Sequence, residues 1–326
     1  MPQQQGKLVH CIVEKGNGHF PVAAVSFKDI AAVVSDWEGT GEEKLEEWLK
    51  WFQKVNIEIL KEYDMVPLRF GVIADDEELV RDFLAVGYLP IKRALDKVRG
   101  RAEYLVQVGC DLKAMLRKIA EERKIAKEAA WPDRLETIEI GKALFEAAQA
   151  KKKALTEAVH QKLCSVSVDS SQGKCADESI VMNCSYLVKK EKEGAFDGAM
   201  EELGRENEAY LTFEYFGPLP PYSFVPLKFE RANYDLIEQA RKVLALGPRA
   251  SMKQIKASYR KLSLKLHPDR NPGCPEAEKT FKEIANAYAT LSAYCRSLLG
   301  APENGANSPC SFAREDVERV FMVREN

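Results

Sequence analysis

Apolar residues recur at helical spacing from Glu42 to Tyr63, at Leu45, Trp48, Leu49, Phe52, Val55, Ile59 and Leu60, with charges on the opposite face. This predicts an amphipathic helix. Ahead of it, LVHCIV (8–13) and IAAVVSD (30–36) are β-branched runs and read as strands joined by a hairpin-like excursion. After it come a short buried strand at MVPLRFG (65–71), a second amphipathic helix over 76–98 that ends at Gly100, and a strand at EYLVQVGC (103–110). Residues 111–129 read as a charged helix, interrupted by Trp131-Pro132-Asp133 before a long helix from Arg134 to Cys164. The boundary between two α+β domains is therefore placed at 1–130 and 131–230. In the second domain, Ser165 to Glu178 reads as an exposed loop, 179–188 as a strand, 194–207 as a helix and 209–216 as a strand. Three prolines stiffen Gly217 to Phe224, which is expected to display Tyr222 and Phe224.

A chain of 326 residues exceeds one usual core, and its 45% hydrophobic and 30% charged residues exclude a disordered protein. No run of eighteen apolar residues occurs and the start of the chain is polar, so neither a spanning helix nor a secretory signal is expected, and the expected location is cytoplasmic. The eight cysteines form no C-x-x-C pair and are expected to be reduced, with no disulfide framework. The formal charge of −2 is uneven: residues 232–298 hold twelve Lys/Arg against six Asp/Glu, and the remainder 36 against 44. A basic module on an acidic body speaks to partners rather than to fold.

Within that module Met252, Ile255, Tyr259, Leu262 and Leu266 are spaced 3, 4, 3, 4, and Ala277, Phe281, Ile284, Tyr288 and Leu291 are spaced 4, 3, 4, 3. The two stripes predict an antiparallel helical hairpin. Pro268, Pro272 and Pro275 forbid helix in the connection, so His267, Pro268 and Asp269 project from its tip. The first helix carries Lys253, Lys256, Arg260, Lys261 and Lys265 and no acid, all directed away from the seam, with Leu264 also on that polar side.

The segment Tyr234 to Leu299, with YRKLSLKLHPDRNPG and FKEIANAYATLS, resembles the J-domain of Hsp40 co-chaperones. The resemblance implies an all-α hairpin that docks on an Hsp70 and accelerates its ATP hydrolysis. It makes His267, Pro268 and Asp269 the indispensable contacts, and it puts Tyr259, Arg260, Lys261 and Lys265, with the neighbouring Lys256, on the docking helix. Two departures stand out: the usual basic fourth helix is reduced to AYCRSLLG, and no Gly/Phe-rich stretch or zinc-binding cysteine repeat follows.

The segments LVHCIV, IAAVVSDW, VPLRFG, RGRAEYLVQVGCD, MNCSYLV and FGPLPPYSF follow one another in order, and with them residues 7–229 resemble the gas vesicle family GvpL/GvpF, although Leu219 and Tyr104 replace tryptophans usual in the family. The resemblance implies two α+β domains, at least one of them ferredoxin-like, and a role in building gas vesicles without catalytic residues. The expected fold is thus α+β in two domains followed by an all-α J-domain at 232–298 and a tail at 299–326, where a short helix is expected around Val317 to Val323. The expected partners are an Hsp70 and the hydrophobic shell protein, which needs a holder before it reaches the growing edge. The linker Pro226 to Asn233 is short and would raise the local concentration of Hsp70 near its client. The competing reading is a minor structural component of the vesicle shell with the J-like module as its attachment point.

Other signals are weaker. His160, Cys164, Cys175 and Cys184 lack the tight ligand pairs of a structural zinc site and read as scattered side chains. Asp75, Asp76, Glu77 and Glu78 suit a helix start better than a cation site. Arg69, if buried on a strand, requires a carboxylate such as Glu58 or Glu103. No nucleotide-binding glycine loop and no nucleophile with recognisable partners occur, so no enzyme, metal or cofactor is expected. The acidic body argues against nucleic acid as a partner, and no membrane partner is expected.

Overall fold

The computed structural model describes residues 5–16, 19–39, 44–122, 134–177, 179–266, 275–299 and 308–325. They form two compact units, one comprising Met1–Lys97 and Val225–Asn326, the other Val98–Phe224.

The first unit begins with an antiparallel sheet ordered β2-β3-β1-β4, made of β1 (Gly6–Glu14), β2 (Ala23–Phe27), β3 (Ile30–Trp37) and β4 (Met65–Pro67); β5 (Ile73–Ala74) also pairs with β1. Leu8 through Val13 are all buried, which explains why this strand reads as a continuous apolar run rather than an alternating one. Helix α1 (Leu45–Glu62) packs Val55 and Ile59 against Cys11, Val13, Ala31 and Val33. Between Val9 and Cys11 the register of β1 on β3 slips, and His10 occupies the bulge. Its ring stacks on Phe52 at 5.0 Å and its Nε2 lies 2.9 Å from the Ser35 hydroxyl.

The amphipathic stretch expected as one helix over 76–98 is two, α2 (Glu77–Val86) and α3 (Tyr88–Val98). They break at Gly87, where a Cβ would approach the Ile91 side chain to 2.9 Å. Asp76 caps α2 by accepting from the Leu79 N–H at 2.8 Å, so the acidic run is a helix start, and Asp75 pairs with Arg231. Arg69 is exposed just past the end of β4, so the burial that would have demanded a carboxylate partner does not arise.

The second unit is ferredoxin-like. Strand β6 (Arg101–Gly109), helices α4 (Leu112–Glu122) and α5 (Arg134–Val166), strands β7 (Asp169–Gln172) and β8 (Ile180–Lys189), helix α6 (Glu193–Asn207) and strand β9 (Thr212–Leu219) follow a β-α-β-β-α-β course with two helices in its first crossover. The sheet order is β7-β8-β6-β9, antiparallel throughout. Val159 and Leu163 of α5 and Phe196, Met200 and Leu203 of α6 bury against Tyr104, Val106, Cys184 and Tyr186. The sequence put the domain boundary at 130; the contacts divide the chain at Lys97 and Val98, because β6 pairs on both sides with strands of the second unit. The segment expected as a loop over 165–178 contains β7, an edge strand of polar residues that carries no apolar alternation.

Gly217 to Phe224 differs from expectation at one end. Tyr222 is exposed, but Phe224 is buried. A Cβ on Gly217 would lie 2.4 Å from Cδ1 of Tyr104, so the glycine allows the strand to cross directly over that ring. The Gly217-Pro218 peptide bond is cis.

The chain then returns to the first unit. What read as a linker is β10 (Leu227–Arg231), followed by α7 (Tyr234–Val243), β11 (Arg249–Ser251), α8 (Met252–Leu266) and α9 (Pro275–Leu299). The end of the chain forms β12 (Pro309–Ser311), α10 (Arg314–Glu318) and β13 (Phe321–Glu325). Strand β12 pairs with β11, and β13 pairs with β10. Phe83 of α2 meets Phe229 and Phe321 edge-on at 4.7 and 5.8 Å, which packs the β10–β13 ribbon against α2. No helix among the described residues is long and apolar enough to cross a membrane.

Candidate functional site

The basic helix predicted from the sequence is α8, and the residues around it fix where it starts. Helix α7 is capped by the Asn233 side chain, which accepts from the Leu236 N–H at 3.1 Å. It ends with Ala245 in the left-handed region at φ 48°, where the N–H of Leu246 bonds the Arg241 carbonyl and that of Ala245 bonds the Lys242 carbonyl. This is a Schellman stop with alanine where glycine is usual, and Gly247-Pro248 follows it. Arg241 holds the turn by donating to both Glu238 oxygens at 2.7 Å and to the Leu246 carbonyl at 2.5 Å. These donors hold the Glu238 carboxyl well below its ordinary range, at about 2.

Helix α8 opens with a reciprocal cap. The Ser251 N–H donates to Gln254 Oε1 at 2.8 Å while the Gln254 N–H donates to Ser251 Oγ at 3.3 Å. Farther along, the Ser258 hydroxyl donates to the Leu244 carbonyl at 2.5 Å, which ties α8 to the end of α7. Ile255 of α8 and Ile284 and Leu291 of α9 are buried in the seam. Tyr259 stacks on Tyr288 with ring centroids 4.3 Å apart and planes at 20°. Both apolar stripes read from the sequence thus face each other.

Lys253, Lys256, Arg260, Lys261 and Lys265 are all exposed, and Leu264 stands among them at 59% exposure. Lys256 and Arg260, like Lys261 and Lys265, are like charges at i and i+4, which disfavours an isolated helix by about 0.2–0.5 kcal/mol for each pair. The packed face of α8 carries that unfavourable term. Tyr259 differs from the other expected docking residues in that its ring is half-buried and committed to Tyr288. His267, Pro268 and Asp269 lie outside the described residues.

The C-terminal strands belong to this same core, which the sequence did not reveal. Phe312, Val317, Val320 and Met322 are buried with Ile237, Ile255 and Tyr294, and the Tyr294 hydroxyl donates to the Ser311 carbonyl at 2.6 Å. Cys295 and Cys310 are bonded, with Cα atoms 5.9 Å apart. This corrects the expectation that every cysteine is a reduced thiol: β12 brings Cys310 onto α9, a pairing no sequence spacing announced. The other described cysteines, at 11, 110, 164, 175 and 184, are free.

The histidine and cysteines of the second unit come together only in part. The His160 ring lies 2.8 Å from the Tyr186 hydroxyl, with the Cys164 and Cys184 sulfurs at 3.5 and 4.0 Å, while Cys175 is exposed. Among the described residues no three His, Cys, Asp or Glu side chains are placed to hold a metal ion. The segments that carry the family resemblance meet nearby: Glu103 accepts from the backbone and hydroxyl of Ser223, whose hydroxyl lies 3.1 Å from that of Ser185.

Comparison with known proteins agrees with both halves. Residues 241–296 match the DnaJ domain. A stretch of 90 residues is 58% identical to the chaperone protein DnaJ of Chlamydia caviae, covering 24% of this chain and 23% of that one. Gas vesicle protein F1 of Halobacterium salinarum is 25% identical over 220 residues, 66% of this chain and 86% of its own. The crystal structure of gas vesicle protein GvpF from Anabaena superposes with a TM-score of 0.56 at 19% identity, over 68% of this chain and 98% of that one, and so shares the fold. Residues 3–226 match the family described as gas vesicle synthesis protein GvpL/GvpF, and the chain belongs to that family, with a DnaJ domain at its C-terminal end.

Proposed function

We propose that this protein is a gas vesicle assembly factor that delivers shell protein to an Hsp70. Residues 1–230 hold the shell subunit or the growing vesicle, and residues 232–298 dock on the chaperone and stimulate its ATP hydrolysis. The carrying observation is the exposed face of α8, where Lys256, Arg260, Lys261 and Lys265 stand with no acid on the helix, directly before His267, Pro268 and Asp269. A cationic stripe steers an acidic partner fast and weakly, and the tripeptide supplies the specific contact. Tyr259 acts by fixing the pitch of α8 on α9. The protein is itself no enzyme in this reading; the hydrolysis is the partner's. It works in the cytoplasm and at the vesicle.

The test measures vesicle yield by flotation in cells lacking the gene and supplied with wild type or His267→Gln at equal accumulation, together with Hsp70 ATP turnover in the presence of each purified full-length protein. Recruitment predicts that the variant matches the deletion and fails to stimulate turnover. Flotation like wild type would remove Hsp70 recruitment from assembly and give the lead to a structural role in the shell.

A further inference from the structure

We propose that the cleft between α3 and α9 in the first unit is a binding site for an acidic, extended peptide segment that carries apolar side chains. This goes beyond chaperone recruitment and uses no residue of α8. The cleft has a volume of about 1030 Å³, at the upper end of the range for ligand sites. Its walls come from the turn between β2 and β3, the end of α2 with the start of α3, the second half of α9, and β13. Lys28, Arg93, Arg296 and Arg324 line it, and among the described residues no aspartate or glutamate does.

One of these cations, Arg324, is held in a way its own surroundings do not account for. Nε of Arg324 is buried without a hydrogen-bond acceptor among the described residues, and the residue directly across the ladder from it is Lys228, so the strand pair sets a like charge where a carboxylate would satisfy it. Lys28 sits in the two-residue turn that joins β2 to β3 at φ 52°, a left-handed conformation that favours glycine or asparagine. Its ammonium lies 4.5 Å from the centroid of the Tyr88 ring. The adjacent carboxylate of Asp29 is already engaged by the Tyr88 hydroxyl at 2.6 Å and by Lys92 at 3.0 Å.

The lining between the cations selects the ligand. Ala85, Val86, Ala289, Ala293 and Val323 provide an apolar floor, and Leu89 stands at the rim with 66% of its surface exposed. Guanidinium groups match carboxylates in a planar, two-bonded geometry. An extended chain alternating acidic and apolar side chains meets both features. A nucleic acid backbone needs a continuous cationic track and gains nothing from an aliphatic floor.

A fluorescein-labelled peptide of alternating glutamate and leucine, titrated into the full-length protein and followed by anisotropy, tests this. Binding is expected to weaken about tenfold between low salt and about 0.3 M salt. Leu89→Asp and Arg296→Gln, both outside the α8 face, are each expected to weaken it at least about fivefold with unchanged thermal melts. Leu89 is exposed enough that its replacement leaves the fold intact. Equal affinity in both variants overturns the proposal. So does displacement of the peptide by a charge-matched single-stranded oligonucleotide at lower concentration than by unlabelled peptide.

Discussion

Ser223 donates both its backbone N–H and its hydroxyl to the carboxylate of Glu103, at 2.8 and 2.6 Å. Glu103 lies in β6 and is only 5% exposed, so the corner after β9 is held down by a buried carboxyl group that accepts both bonds. Glu103→Ala removes the acceptor and strands those donors, and is expected to lower stability by about 1–3 kcal/mol. The urea midpoint of unfolding reads this, and Ser223→Ala, which keeps the backbone donor, should cost less.

Gly217→Ala sets a methyl group 2.4 Å from the Tyr104 ring. The ring has little freedom to move, since it lies 4.9 Å from Phe196 and its hydroxyl bonds Glu193. A loss above about 2 kcal/mol is expected. Combining it with Tyr104→Leu should recover part of that loss, so a double-mutant cycle that proved additive would contradict the steric account.

His10 gives the protein a definite response to acid. Burial lowers its pKa from 6.5 to about 4, so the unfolded chain takes up a proton at a pH where the folded one does not. Stability from this group is therefore complete above about 6.5 and declines as pH falls toward 4. The loss is on the order of 3 kcal/mol across that window. Urea midpoints between pH 7 and pH 4 should fall in wild type and fall less in His10→Gln.

The bond between Cys295 and Cys310 closes a loop with a sequence separation of 15 residues. Reduction, or Cys310→Ser, is expected to lower stability by about 3 kcal/mol in the chain-entropy picture. Alkylation of the unreduced, denatured protein followed by mass spectrometry should leave the peptides containing 295 and 310 unlabelled. Full labelling of both would show the bond absent from the protein as purified.

The elements that the sequence disclosed are those whose side chains repeat with a period. The stripe from Leu45 to Leu60 is α1, and the two seams around Tyr259 and Tyr288 are α8 and α9. The cationic face of α8 was legible for the same reason, since helix geometry alone separates it from the seam. Strand β7 was hidden because Asp-Ser-Ser-Gln has no apolar alternation and is held by its backbone ladder with β8. Gly87 did not announce a break because the apolar spacing continues across it; the close approach of Val323, far along the chain, is what fills the space beside it. The contribution of Phe312 and Val317 to the C-terminal core, and of Cys310 to Cys295, depends on strand pairings between distant segments, which leave no local mark.

The first strand after Val225 and the last strand of the chain lie side by side, so the helical module between them is clasped at both its entry and its exit. A module on a slack tether searches a volume; one clasped this way points along a single bearing. With Phe83 wedged against both strands of the clasp, the direction in which α8 offers its positive face is set by the N-terminal sheet and its helices. Geometry of approach, rather than length of reach, then decides what that positive face can meet.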